Sequence, residues 1–142
     1  MTPNEEVQAL MNEGIRFAAE MLEEHGEFLP YGFAMDVDGE IRPVAAVDGD
    51  EEPPPEEIIE FLNIRFRRGA DSGQYKATAL FVNVRVTPPG GRETDAVQVG
   101  LEHRAGNCLN VYFPYGRSIR RVMELGELFA DHRDGVVFQN QR

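Results

Sequence analysis

Residues 94–115 constrain the fold most, because their apolar and polar side chains alternate on both sides of a glycine-containing turn. Successive side chains of a β-strand point to opposite faces of its sheet, so a period of two is typical of strands. The segment therefore predicts a β-hairpin with one apolar and one polar face. Residues 77–87 alternate in the same way and predict a neighbouring strand.

The loop of this hairpin is predicted from the requirement that both apolar rows lie on one face, because directly opposed residues share a face. A two-residue loop at 106–107 would place Leu101 opposite Tyr112 and mix the rows. A three-residue loop at 105–107 places Leu101 opposite Val111 and is therefore predicted. The other predicted pairs are Val99 with Phe113, His103 with Leu109, Glu102 with Asn110 and Gly100 with Tyr112.

The predicted register argues against an acid–base pair at Glu102 and His103. Adjacent strand residues point to opposite faces, so these two side chains cannot share a proton. His103 is expected on the apolar face as a hydrogen-bonded packing residue. Cys108 is predicted opposite Arg104, where a guanidinium can lower the pKa of a thiol, but no histidine base shares its strand face.

The polar face of the hairpin, extended by the preceding strand, is the predicted surface for a ligand or a partner. Tyrosine and arginine are enriched at interfaces, and Gly100 is expected to leave a gap beside the Tyr112 ring. A sheet face that is merely polar and exposed is the alternative interpretation. The predicted surface consists of Asn83, Arg85, Gln98, Gly100, Glu102, Arg104, Asn110 and Tyr112.

Two amphipathic helices are predicted, one before and one after a hairpin at residues 31–47 of the sequence. The first helix starts with a capping box at Thr2 and stops at Gly26. The second starts near Pro55 and stops near Gly69. Its first turns carry glutamates and its last turns carry arginines, which suits the helix dipole at both ends.

The remaining segments are predicted from turn signals and short apolar runs. Residues 38–39 form the turn of the first hairpin, and Pro43 places its second strand at a sheet edge. Residues 47–55 are a loop of acidic and proline residues. Residues 119–130 allow a short helix or a strand, and 136–138 predict a last edge strand.

The order of these elements predicts one α+β domain spanning residues 1–142. Its expected architecture has two layers: a largely antiparallel sheet of about five to six strands, with the two main helices packed on one face. No internal repeat and no interdomain linker divides the sequence.

Charge is distributed unevenly along the chain. Residues 1–60 hold 17 Asp or Glu and 2 Arg, a net of −15; residues 61–142 hold 8 and 12 Lys or Arg, a net of +4; together these give −11. An acidic face disfavours nucleic acid and favours a basic protein partner. The alternative is that the two halves pack together, so that the positive charge of residues 61–142 lies beside the negative charge of residues 1–60. The basic cluster Arg117, Arg120 and Arg121 is expected to be a solvated helix face.

The sequence predicts no metal, no cofactor and no membrane span. A single cysteine excludes an internal disulfide, and the three histidines lack ligand spacing. Residues 36–40, D-V-D-G-E, begin like a calcium loop, but Val47 stands where the bidentate glutamate belongs, so a β-turn is predicted. The N-terminus lacks the features of a signal peptide, which favours a cytoplasmic protein.

Four short motifs carry a resemblance that covers residues 5–140. They are G-E-F-L-P-Y-G at 26–32, D-A-V at 95–97, E-H-R at 102–104 and F-P-Y at 113–115. The chain resembles a group of small uncharacterised bacterial proteins with these motifs. The resemblance implies a single bacterial cytoplasmic domain and assigns no catalytic residues.

No motif in the sequence specifies a catalytic activity, so an enzyme is not favoured. The leading hypothesis is a non-enzymatic protein-interaction module, for example an inhibitor or immunity-like protein with a basic partner. The alternative is a small-ligand binder or weak hydrolase that uses the polar sheet face, which would require a concave pocket there. Homodimerisation through the sheet is a third hypothesis.

Overall fold

The computed structural model describes residues 1–45, 53–117, 123–125 and 127–138. Two helices, α1 (Pro3–His25) and α2 (Pro55–Asp71), flank the sheet. Its strands are β1 (Tyr31–Asp36), β2 (Ile41–Val44), β3 (Tyr75–Val86), β4 (Thr94–His103), β5 (Cys108–Arg117), β6 (Met123–Leu125) and β7 (Phe129–His132). The predicted loop at 47–55 and the predicted cluster of Arg117, Arg120 and Arg121 side chains lie largely or wholly outside the described residues.

The strands pair in the order β2-β1-β3-β4-β5-β6, and every pair is antiparallel. β6 and β7 pair with different parts of β5, at 115–117 and at 109–112. β2, which contains Pro43, is an edge strand as predicted, because proline cannot donate to a further strand. The predicted α+β class with an antiparallel sheet is confirmed.

α1 forms where the capping pattern predicts it. Thr2 Oγ1 accepts a hydrogen bond from the Glu5 amide, and the Glu5 carboxylate accepts one from the Thr2 amide, which satisfies two free donors of the first turn. Gly26 ends the helix with a φ of 77°. Gly14 lies inside the helix because the Phe81 ring packs where a side chain would start.

The two helices pack against opposite faces of the sheet. Ala79 and Phe81 of β3 contact α1, whereas Leu80 between them packs with α2. Adjacent strand residues point to opposite faces, so the domain has three layers, helix–sheet–helix. This corrects the expected two-layer packing on one face. The physical reason is that residues 77–81 are all buried, which requires cover on both sides.

α2 lies over β1 and β3 and covers this face of the sheet with aliphatic and aromatic side chains. Its proline N-cap makes no side-chain hydrogen bond, and Glu56 and Glu57 occupy the dipole-favoured first turn. Phe66 packs on Gly32, where a Cβ would lie 2.5 Å from its ring. The helix continues past the predicted stop at Gly69 to Asp71.

The β4–β5 hairpin has a three-residue loop, as predicted, but one residue earlier in the chain. The His103 amide donates to Asn107 O, so the loop is 104–106. Gly106, with a φ of 98°, takes the third loop position, which needs the left-handed conformation. All predicted pairs therefore move by two residues: Leu101 faces Leu109, Val99 faces Val111 and Glu102 faces Cys108. The apolar rows still coincide.

The described residues of 119–130 contain strands and no helix. β6 and β7 occupy 123–125 and 129–132, which decides the open alternative at 119–130 in favour of strands for the described residues. Residues 136–138 are not a strand, which corrects that prediction. They cross the face of β4 instead, because the Glu102 carboxylate binds their amides. Neither described helix is long and apolar enough to cross a membrane.

Candidate functional site

The structure separates the eight residues of the predicted ligand surface. Five of them share the face of β4 and β5 that is turned toward α2: Gln98, Gly100, Glu102, Asn110 and Tyr112. Asn83 and Arg85 lie on the opposite face, because Asn83 pairs with Val97 and Arg85 with Asp95. Arg104 lies in the exposed hairpin turn. The prediction placed Asn83 and Arg85 alongside Gln98 and Gly100, which differs from the observed register by an odd number of residues and so reverses their face.

Glu102 is buried at 1% exposure and is hydrogen-bonded on both carboxylate oxygens. Oε1 accepts from the amides of Val136 and Val137 at 2.8 and 2.9 Å. Oε2 accepts from Arg133 Nε at 3.1 Å. A buried carboxylate is tolerated when it is paired and hydrogen-bonded in this way, so Glu102 anchors the C-terminal part of the chain.

Arg133 fills the gap that Gly100 was expected to leave beside Tyr112. A Cβ at Gly100 would lie 2.5 Å from Arg133 Nη1, so only glycine leaves room for the guanidinium. The same guanidinium donates to Asn110 Oδ1 at 3.1 Å. The gap is therefore occupied by the protein itself. No sequence signal connects Arg133 with this site, because it follows a strand whose pairing the pattern left open.

Tyr112 is also engaged within the chain. Its hydroxyl accepts from Gln98 Nε2 at 3.1 Å and donates to the Asp131 carboxylate at 3.2 Å. Its ring stacks on Phe129 with the centroids 4.8 Å apart. Residues 129–138, which we call the C-terminal strap, thus cover the predicted polar face.

A cavity of about 760 Å³ lies between the hairpin tip and the strap, and it holds the free Cys108. Burial, and then the negative charge of Glu102, raise the pKa of the Cys108 thiol. Cys108 lies opposite Glu102, which corrects its predicted place opposite Arg104. The cavity therefore offers a thiol that is held protonated, which does not favour nucleophilic chemistry.

His103 is a hydrogen-bonded core residue, as predicted, with 4% exposure. Its Nδ1 accepts from the Ala105 amide at 3.0 Å, so its proton is on Nε2, which donates to Glu6 Oε1 at 3.1 Å. Lys76 forms an ion pair with the other oxygen of Glu6. Lys76, and then His103, lower the pKa of Glu6. Glu6 belongs to α1, whereas Lys76 belongs to β3 and His103 to β4. This cluster therefore joins α1 to the sheet.

The turn at 36–40 gathers three carboxylates, those of Asp36, Asp38 and Glu40. The Arg42 guanidinium bonds to Asp36 and to Glu40, so a cationic side chain already lies within the group. Asp38 Oδ1 accepts from the Glu40 amide, and Gly39 has a φ of 95°. The arrangement is that of a β-turn stabilised by its own side chains.

An open groove of about 500 Å³ is lined by residues from the end of α1 and from the start of α2. Its floor is mainly apolar and includes the buried Phe28, the exposed Leu29 and Val82 of β3. The other lining residues are Met21, His25, Glu27, Pro30, Pro55 and Asn83. We call this the acidic groove, because Glu27 lines it and the helix segments that line it carry further glutamates.

Seven exposed glutamates lie on the elements that form the groove. They are Glu20, Glu23 and Glu24 in the last turns of α1, Glu27 beyond it, and Glu56, Glu57 and Glu60 in the first turns of α2. The stretches 17–41 and 43–64 contain no lysine or arginine. Glu24 has an ion-pair contact with His25, and no described residue forms an ion pair with the other six. The sequence showed this excess of acid, but not that the two helix ends line the same groove.

No family model, no curated protein and no solved structure matches the chain. The inference of function therefore rests on the geometry and charge of the groove and the polar face.

Proposed function

We propose that this chain is a non-enzymatic protein-interaction module that binds a basic partner through the acidic groove. The observation that carries the proposal is an apolar floor with Glu27 in its lining, no lysine or arginine among the lining residues, and six more exposed glutamates on the helix segments that supply Met21, His25 and Pro55. Interfaces combine an apolar centre with a charged rim, and complementary charge raises the rate of association.

The floor of the groove supplies the apolar part of this interaction. Leu29 is 43% exposed although it lies between the buried residues Phe28 and Pro30. Such a side chain beside a recess suits an apolar anchor from a partner, flanked by basic residues that reach the glutamates. The partner is thus a protein segment with an apolar anchor and several lysine or arginine residues.

An inhibitor or immunity-like protein is one concrete form of this proposal, because an acidic protein of this kind blocks a basic effector by covering its charged surface. We place it in the bacterial cytoplasm because of its resemblance to small bacterial proteins, and a single free cysteine is compatible with a reducing compartment. The small-ligand alternative on the polar sheet face is weaker, since Glu102 and Tyr112 are bonded to the strap.

The test is binding of a labelled synthetic peptide in which lysine and arginine residues flank a leucine–phenylalanine pair. We expect saturable binding that weakens as the salt concentration rises toward about 0.15 M. The triple variant Glu24→Gln, Glu27→Gln and Glu56→Gln should bind about tenfold more weakly. Fluorescence anisotropy measures both effects.

A matched control removes the same charge elsewhere: Glu13→Gln, Asp71→Asn and Glu127→Gln, all at exposed positions outside the groove. This control should bind nearly as well as the wild type. Equal losses in the two triple variants would show that net charge alone acts, and binding that does not respond to salt would also contradict the proposal.

A further inference from the structure

A second groove, of about 670 Å³, lies between the edge strand β2 and the last two turns of α2. It is independent of the acidic groove and has the opposite charge. Its lining residues are Pro43, Val44, Ala45, Arg65, Arg68, Gly69, Ser72, Gln74 and Tyr75, none of which is acidic. This is a basic recess in a protein whose net charge is −11.

Arg65 and Arg68 follow the i, i+3 spacing, so they lie on one face of α2, and they line the groove together with Ser72, the C-cap residue of the helix. Arg67, which lies on another face of the helix, donates to Val136 O at 2.9 Å. In the described part of the chain, no hydrogen bond or ion pair engages the guanidinium of Arg65 or of Arg68. Two neighbouring cations repel each other, and an anion between them would relieve this repulsion.

The opposite wall of the groove is apolar. Pro43 and Val44 come from β2, and the Tyr75 ring packs directly over Gly69, where a side chain would collide with it. Gln74 adds an exposed amide at the rim. The groove therefore presents a pair of guanidinium groups on one side and an apolar wall on the other, at a volume typical of small-molecule sites.

We propose that this groove binds a small organic oxyanion, with its phosphate or carboxylate between Arg65 and Arg68 and its apolar body against Pro43, Val44 and Tyr75. Guanidinium groups bind both oxyanions in bidentate geometry, so the two chemistries are alternatives for one site.

The experiment is a titration of the full chain with phenyl phosphate, benzoate and inorganic phosphate, followed by amide chemical shifts. We expect saturable shifts at residues 43–45 and 65–75, and tighter binding of phenyl phosphate or benzoate than of inorganic phosphate. The tighter of the two organic probes identifies the preferred oxyanion. Equal affinity for inorganic phosphate would overturn the role of the apolar wall, and no saturable shift would overturn the site.

The double variant Arg65→Gln and Arg68→Gln should lower the affinity for the organic probe at least about tenfold. The control Arg16→Gln and Arg92→Gln removes two exposed arginines outside the groove and should leave the affinity unchanged. An equal loss in both would contradict the proposal. A lower melting temperature of the first variant with unchanged probe affinity would also contradict it, since the arginines would then serve only the helix dipole.

Discussion

The polar face of β4 and β5 and the acidic groove both collect charged and polar side chains, but they differ in how those side chains are satisfied. On the polar face, Glu102 and Tyr112 bond to residues 131–137 of the C-terminal strap. Around the groove, six exposed glutamates have no ion-pair partner among the described residues. Their charge therefore faces solvent rather than the protein.

This difference suggests how to separate structural from functional polar groups. A buried, fully hydrogen-bonded carboxylate stabilises the fold, because removing it leaves its partners unsatisfied. Exposed like charges around an apolar recess contribute little to stability and remain available to a partner. Changes on the polar face should therefore lower stability, and changes in the groove should lower binding.

Glu102→Ala should have the largest effect on stability. It leaves the Val136 and Val137 amides without their acceptor and removes a charged partner of Arg133, so we expect a loss of about 3–5 kcal/mol of unfolding free energy. Urea unfolding measures it, and Glu13→Ala at an exposed position should stay within about 0.5 kcal/mol. If Glu102→Ala does not fold, Glu102→Gln should lose about 1–3 kcal/mol. A neutral effect of Glu102→Gln would show that the strap is not anchored there.

Glu6 should make stability depend on pH. Lys76 and His103 hold the folded pKa of Glu6 below its ordinary value of 4.5, so its stabilising effect is present above that pH and is lost as the pH falls through the folded pKa. The stability difference between the wild type and Glu6→Gln should therefore be largest near neutral pH and shrink in acid. Unfolding curves across this range test it, and a constant difference would contradict the assignment.

Tyr112→Phe should cost about 1 kcal/mol, because it removes the hydroxyl shared by Gln98 and Asp131 but keeps the stacking on Phe129. Thermal unfolding measures this loss. Amide exchange in β7 should increase with it, because Asp131 loses a bond to β5. Unchanged exchange and stability would mean that the hydroxyl contributes nothing to holding the strap.

Leu29→Ser should have the smallest effect on stability, about 0.5 kcal/mol or less, since Leu29 is already 43% exposed. Binding of the basic peptide should nevertheless weaken, because the apolar floor loses its exposed side chain. Phe28→Ser is the opposite control, because Phe28 is buried and its loss should unfold much of the domain. Unaltered peptide binding by Leu29→Ser would show that the apolar floor is not part of the interface.

The helices, the first five strands and the faces of β4 and β5 follow from the sequence because periodicity and capping are local signals. The exact pairing does not. One choice, whether Gly106 takes the second or the third loop position, moves every pair by two residues. The face of Asn83 and Arg85 depends on the register between β3 and β4, because a shift by an odd number of residues reverses it.

The two sites differ even more in how far the sequence could predict them. The cover over Glu102 is formed by Arg133 and the amides of residues 136 and 137, which are 31 to 35 positions away in the chain. The alternation of apolar and polar residues along the chain does not predict a contact between residues so far apart. The excess of acid was visible as an uneven charge distribution, but that both helix ends line one groove depends on how the helices pack against the sheet.

The most direct test compares the affinity for the basic peptide in two variants side by side. One is Glu24→Gln, Glu27→Gln and Glu56→Gln in the groove, and the other is Tyr112→Phe on the polar face. We expect the groove variant to bind about tenfold more weakly and the polar-face variant to stay within about twofold of the wild type. A loss of affinity in Tyr112→Phe with unchanged binding by the groove variant would contradict the account.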